Sequence, residues 1–135
     1  MEQADAAGVL LAAVANKRFA PPYAMAKALI ADGRLKAAPA VFSGKFTLGY
    51  PYVDLLAGGT VHLFDLMLWL MGPVARLHAR AVTNPAGIES AVISVAFASG
   101  AIGTIMTSAA GLSFHPWERV EVFGRNAFLV VDDQR

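Results

Sequence analysis

Apolar and polar positions along this chain fall into blocks with different periods. Residues 2–7 look like the tail of a helix, Gly8 stops it, and residues 9–15 form an unbroken apolar run. Such a run fits a strand buried on both faces, as in a parallel sheet. Nothing that follows supplies its neighbours, so it is expected to belong to a larger sheet. Asn16, Lys17, Arg18 and Phe19 form its exit, and Pro21 and Pro22 suit the first turn of a helix running to about Asp32, capped by Gly33. From 36 to 48 the residues alternate, with Ala40, Phe42, Phe46 and Leu48 on one side and Val41, Ser43, Lys45 and Thr47 on the other, which predicts a long strand. Residues 49–57 make a loop containing Tyr50, Pro51 and Tyr52, and residues 58–72 read as a buried helix ended by Gly72 and Pro73. Strands are expected at about 74–82, 88–98, 101–108, 119–123 and 128–132, with Ser99-Gly100 and Gly124-Arg125-Asn126 as hairpin turns.

These elements predict an α+β fold: a mostly antiparallel open sheet of about six strands with helices packed on one face, preceded by a remnant helix and strand. The segment AVISVAFASGAIGTIMTSA carries apolar or small residues on both faces, where a sheet with one wet face alternates more cleanly. One face is expected to meet the helices. The other is expected to meet a second subunit, or missing C-terminal chain.

Composition narrows the function classes. At 135 residues the chain is one domain or part of one, and with 56% hydrophobic and 16% charged residues it is unusually apolar. No apolar run reaches the ~18 residues of a membrane span, and the start Met-Glu-Gln-Ala-Asp lacks the basic region of a signal peptide. A net charge of +1 gives no reason to expect nucleic acid or an anionic membrane. The absence of cysteine excludes disulfides and thiolate metal sites and is compatible with a cytoplasmic protein.

The helix over 58–72 carries two titratable side chains, His62 and Asp65. At about 100° per residue, Gly58, His62, Asp65 and Trp69 share one stripe, which could look into a site. Taken by itself, His62 reads first as a satisfied core histidine. Asp65 reads first as a buried carboxylate that caps backbone or pairs with an arginine. Trp69 and Trp117 read as core or interface residues, and His78 and His115 lack ligand-like spacing, so no metal site is expected.

The segments AGVLLAAVANKRFAPPY, AKALIADGRL, GGTVHLFDLMLWLMGPVARLHA, FASGAIGTIMTS and WERVEVFGRNAFLVVDD, taken in order, resemble the glucose-fructose oxidoreductase and inositol dehydrogenase (Gfo/Idh/MocA) family. The resemblance implies an N-terminal Rossmann domain that binds NAD or NADP and a C-terminal α+β domain for substrate contacts and oligomerisation. It places residues 1–19 in the last helix and strand of a truncated dinucleotide-binding domain. Residues 20–135 become the C-terminal domain, incomplete at its C-terminus. The Gly-rich pyrophosphate turn is not found, since Gly100 and Gly103 sit in a hairpin, and the family's Glu-Lys-Pro motif would lie upstream. The chain therefore reads as a fragment that binds no cofactor alone.

The resemblance also assigns candidate roles. His62 matches the family's catalytic histidine, an imidazole suited to proton transfer near neutral pH. Four residues earlier, where many members carry an aspartate that serves the imidazole, this chain has Gly58. Asp65 or Asp54 could hold the ring instead. Asn16, Arg18, Asp65 and Tyr50 are the candidate substrate contacts, with an interdomain salt bridge as the alternative for Arg18. The activity implied for the full-length parent is NAD(P)-dependent oxidation or reduction of a sugar, cyclic polyol or related hydroxy or keto compound. The alternative is a noncatalytic binding or assembly module.

Overall fold

Four of the six strands bury every second residue, and that alternation decides which face of the sheet receives the helices. The structure is a computed structural model describing residues 2–12, 14–35, 38–48, 53–110 and 117–132. Helices α1 (Glu2–Ala7), α2 (Pro21–Ala31) and α3 (Val61–Met71) accompany strands β1 (Val41–Thr47), β2 (Val74–Asn84), β3 (Gly87–Phe97), β4 (Ile102–Ser108), β5 (Trp117–Phe123) and β6 (Phe128–Asp132). The strands form one sheet in the order β2-β3-β4-β1-β5-β6. All neighbours are antiparallel except β1 and β4. A parallel pair needs a crossover, and here the chain between β1 and β4 includes α3 and the β2–β3 hairpin.

Phe42, Gly44 and Phe46 of β1 line up with Gly103, Ile105 and Thr107 of β4 on the buried face. Leu63, Leu66 and Leu70 of α3 join them in one core with Tyr23 and Ala26 of α2. The sheet admits α3 so closely because position 44 has no side chain. A Cβ there would stand 2.9 Å from Phe42 Cε1 and 3.0 Å from Leu63 Cδ2.

The predicted strand positions hold closely for 101–108 and 128–132, whereas β1 is shorter than the alternation over 36–48 suggested. Hairpin turns fall where Gly and Asn allow a left-handed backbone, at Gly100 (φ 88°) and Asn126 (φ 62°). The clear departure concerns residues 9–15. The described residues of that run, 9–12, 14 and 15, belong to no strand of the sheet, and Leu10 is 95% exposed. A strand forms only where a neighbour takes its backbone hydrogen bonds, and none of the six strands is adjacent to this segment.

The segment is followed by a 3₁₀ turn, Asn16–Phe19, that is tied down firmly. Lys17 Nζ donates to Glu118 Oε2, and Tyr23 OH donates to Glu118 Oε1 at 2.9 Å. The Glu118 side chain is 3% exposed and that of Lys17 16%. Lys17 also lies 5.5 Å from the centroid of the Phe46 ring. Both carboxylate oxygens are thus satisfied, as a buried charge requires.

The opposite face of the sheet is uncovered among the described residues. Strand registers set Ala96, Ile102, Val41, Phe123 and Phe128 in one apolar row, ending in a Phe123–Phe128 stack at 5.8 Å. A parallel row runs Arg80, Val92, Met106, Lys45, Arg119 and Asp132. In it Arg119 donates to Glu121 at 2.8 Å and to Asp132 at 2.7 Å.

The Lys17–Glu118 pair generates a stability prediction. Lys17→Met should destabilise the chain by about 3–5 kcal/mol, because it strands a buried carboxylate, and Lys17→Met/Glu118→Leu should recover most of that loss. Urea unfolding measures both, and a single variant as stable as the unsubstituted chain would remove the anchoring role.

Candidate functional site

The site begins with how α3 is started. Asp54 Oδ1 accepts from the backbone N–H of Leu56 at 2.9 Å and of Ala57 at 2.6 Å, capping a π-helical turn, Leu55–Thr60, that runs directly into α3. Thr60 Oγ1 donates to the Leu55 carbonyl at 2.7 Å and lies 2.7 Å from Thr107 Oγ1, so the Thr107 hydroxyl supplies the proton of that second contact. This buried pair bolts the turn to β4. The turn can lie so close because position 59 is glycine. A Cβ there would meet Phe46 Cε1 at 2.7 Å. The π turn also shifts Gly58 off the α-helical phase, since a wider turn advances less than 100° per residue. A Cβ at 58 would stand 2.3 Å from Val53 Cγ1, so Val53 fills the place of a side chain there.

On α3 itself the predicted stripe holds for His62, Asp65 and Trp69, all of which are half-buried. His62 and Asp65 line a cavity of about 490 Å³ with Arg18, Val14, Ala15, Phe19 and Val61. Arg18 grips Asp65 with two parallel hydrogen bonds, Nε to Oδ2 at 2.7 Å and Nη2 to Oδ1. Its guanidinium also stands 5.8 Å from the Trp69 ring centroid, and Lys27 Nζ stands 5.6 Å from the same ring while donating to the Trp69 carbonyl at 2.6 Å. The hydrogen bond to Asp65 raises the Arg18 pKa above its usual range, against a smaller opposing effect of desolvation. The group is therefore cationic at every working pH.

His62 makes no hydrogen bond or ion pair with any described residue. Of the two carboxylates considered for holding its ring, Asp54 serves as the cap and Asp65 is gripped by Arg18. Asn16 is exposed, starts the 3₁₀ turn and is not a wall of this cavity. Tyr50 and Tyr52 lie outside the described residues. Among the described residues, no three His, Asp or Glu side chains converge as metal ligands would.

The structure thus brings His62, Arg18 and Asp65 together. It adds an apolar rim that the sequence reading did not single out, namely Val14, Phe19 and Val61. Phe19 is 83% exposed and Val61 42%. An aromatic residue inside a charged exit turn was the one sequence signal for this rim. The cavity can accept a small polar molecule against an imidazole and an ion pair, with an apolar border that another surface could cover.

The family model described as the GFO/IDH/MocA C-terminal domain matches residues 54–130, more than half of the chain. Among curated proteins, the uncharacterized oxidoreductase YrbE of Bacillus subtilis is 28% identical over 143 residues, covering 95% of this chain and 42% of its own length. Among solved structures, a probable dehydrogenase from Thermotoga maritima superimposes with a TM-score of 0.80 at 25% identity, covering 97% of this chain and 44% of that one. GenD2 from gentamicin A biosynthesis, solved in complex with NAD, gives 0.79 at 26% identity, covering 97% and 42%. The chain therefore spans less than half the length of these relatives. With its sheet, its α3 and its residues 54–130 all matching, the chain belongs to the GFO/IDH/MocA family, as a C-terminal domain.

Proposed function

We propose that this chain is the substrate-binding and oligomerisation portion of an NAD(P)-dependent oxidoreductase acting on a sugar, cyclic polyol or related hydroxy or keto compound. The observation that carries the reading is His62, half-buried on a cavity wall and free of any described protein partner. A histidine satisfied inside a core would be hydrogen-bonded to protein. The NAD in GenD2 and the oxidoreductase description of YrbE support the reaction class.

In this reading residues 1–19 complete a dinucleotide-binding lobe. The exposed residues 9–12 and 14, with Phe19, are then covered by the rest of that lobe, which closes over the cavity beside Val61. NAD or NADP, held by that lobe, supplies or accepts the hydride. His62 then takes the proton of the substrate hydroxyl in oxidation and returns it in reduction. Arg18 and Asp65, as paired walls, present hydrogen-bonding edges to the substrate, while Asn16 and Tyr50 are assigned to the same contacts from outside the described walls. The protein works in the cytoplasm, where both cofactors are available.

The uncovered sheet face is assigned to a second copy of the chain. Its exposed Val92, Ile102, Met106 and Phe128 form a broad apolar area beside charged residues, the mixture expected of a subunit interface. The noncatalytic alternative draws support from position 58, where Val53 fills the space that many family members give to an aspartate.

Three outcomes test this reading. In the full-length protein carrying this sequence, His62→Ala should lower kcat by about 10²–10⁴-fold and leave cofactor affinity unchanged; equal losses in both would mark a structural histidine. Ile102→Glu/Met106→Glu should convert the assembly to monomer in light scattering, and an unchanged mass would move the interface elsewhere. Gly58→Asp should lower the Tm of the chain, and Val53→Ala in the same chain should restore part of the loss; no loss in the single variant would show that Val53 yields freely.

A further inference from the structure

Arg18 bears on His62 as well as on the contents of the cavity. Asp65 follows His62 by three residues on α3, a spacing that puts their Cβ atoms about 5–6 Å apart on one helix face. Both side chains line the same cavity. A carboxylate so placed would ordinarily accept a hydrogen bond from the imidazole. Here no such bond forms; each Asp65 oxygen instead accepts from the planar fork of one guanidinium, which fixes the plane in which the carboxylate lies.

We propose that Arg18 is a positioning residue for His62: by engaging both oxygens of Asp65, it withholds that carboxylate from the imidazole and leaves the ring free to exchange a proton with whatever occupies the cavity. A lysine could not do this equally well, since a single ammonium does not match two carboxylate oxygens in one plane. Two cations in succession make the arrangement specific. Lys17 turns inward to Glu118, and Arg18 turns toward α3. The register of the 3₁₀ turn therefore fixes which cation meets Asp65.

The other charged groups packed around α3 are committed elsewhere. Asp54 caps the preceding π turn, Lys27 of α2 donates to the Trp69 carbonyl, and Lys45 of β1 lies on the far face of the sheet. Among the described residues, Arg18 and Asp65 are the two charges that share the cavity with His62. Separated, each would act with its own sign.

The catalytic meaning of this arrangement rests on the proposed function, but its test does not. Ring C–H resonances of His62, assigned by their loss in His62→Gln, are followed by NMR through a pH titration of the purified chain and its variants. Arg18→Gln should move the His62 midpoint upward by about one pH unit or more, because the released carboxylate favours the charged ring. A slowly exchanging ring N–H should appear with it. Asp65→Asn should move the midpoint downward, and Arg18→Gln/Asp65→Asn should return it to that of the unsubstituted chain. Arg18→Lys, which keeps the charge, should give a smaller upward movement and serves if Arg18→Gln does not fold. An unchanged midpoint in the folded Arg18 variants, or a double variant that behaves like Arg18→Gln, would overturn the proposal. No cofactor or substrate enters the measurement, so its failure leaves the oxidoreductase reading standing, and absence of hydride transfer leaves this one standing.

Discussion

Two adjacent cations in a single 3₁₀ turn hold the working parts of this domain in relation to one another. Lys17 reaches into the sheet, where Glu118 on β5 would otherwise be an unpaired buried charge, and Arg18 reaches to Asp65 on α3. The turn is thereby fastened to both layers at once. Tyr23, at the start of α2, joins the same carboxylate, so the first helix of the domain is tied to the anchor as well. Neither pair needs to add much net stability to matter. A buried pair is demanding in geometry, and disrupting one partner is far worse than having neither, which makes it a strong specifier of register.

That anchor explains why a domain with so much exposed apolar chain at one end keeps a defined cavity. Residues 9–12 and 14 lie exposed, yet the walls contributed by Val14, Ala15, Arg18 and Phe19 adjoin or belong to a turn held by two ion pairs. On the other wall, the Thr60–Thr107 contact and the side-chain-free positions 44 and 59 press α3 and its π turn onto the sheet. His62 thus stands on a helix packed closely onto the sheet.

The same geometry separates this chain from the pattern its family resemblance implies. Position 58 is closed to a side chain by Val53, and the carboxylate three residues beyond His62 is bound to Arg18. The ring lines the cavity without a hydrogen-bond partner among the described residues. The uncovered face of the sheet is a separate feature, with an apolar row and a charged row side by side.

Much of the architecture is written in local periodicity. Alternation in β1, β3 and β4, the glycine and asparagine at the hairpin turns, and the apolar helix before Gly72 each follow from short-range chemistry, which is why six strands and the main helix were legible from residues alone. Long-range partners were not. Lys17 and Glu118 are 101 residues apart, and nothing in either segment names the other. The run at 9–15 has the composition of a buried strand, but composition cannot provide the neighbouring strand that would accept its hydrogen bonds. For the site, residue type and spacing brought His62 and Asp65 to one helix face, whereas whether Asp65 serves the imidazole or an arginine depended on which group a distant turn delivers. Sequence determined which side chains were available and on which face. Tertiary structure decided their pairing, because a carboxylate with two candidate donors goes to the one whose geometry satisfies both of its oxygens.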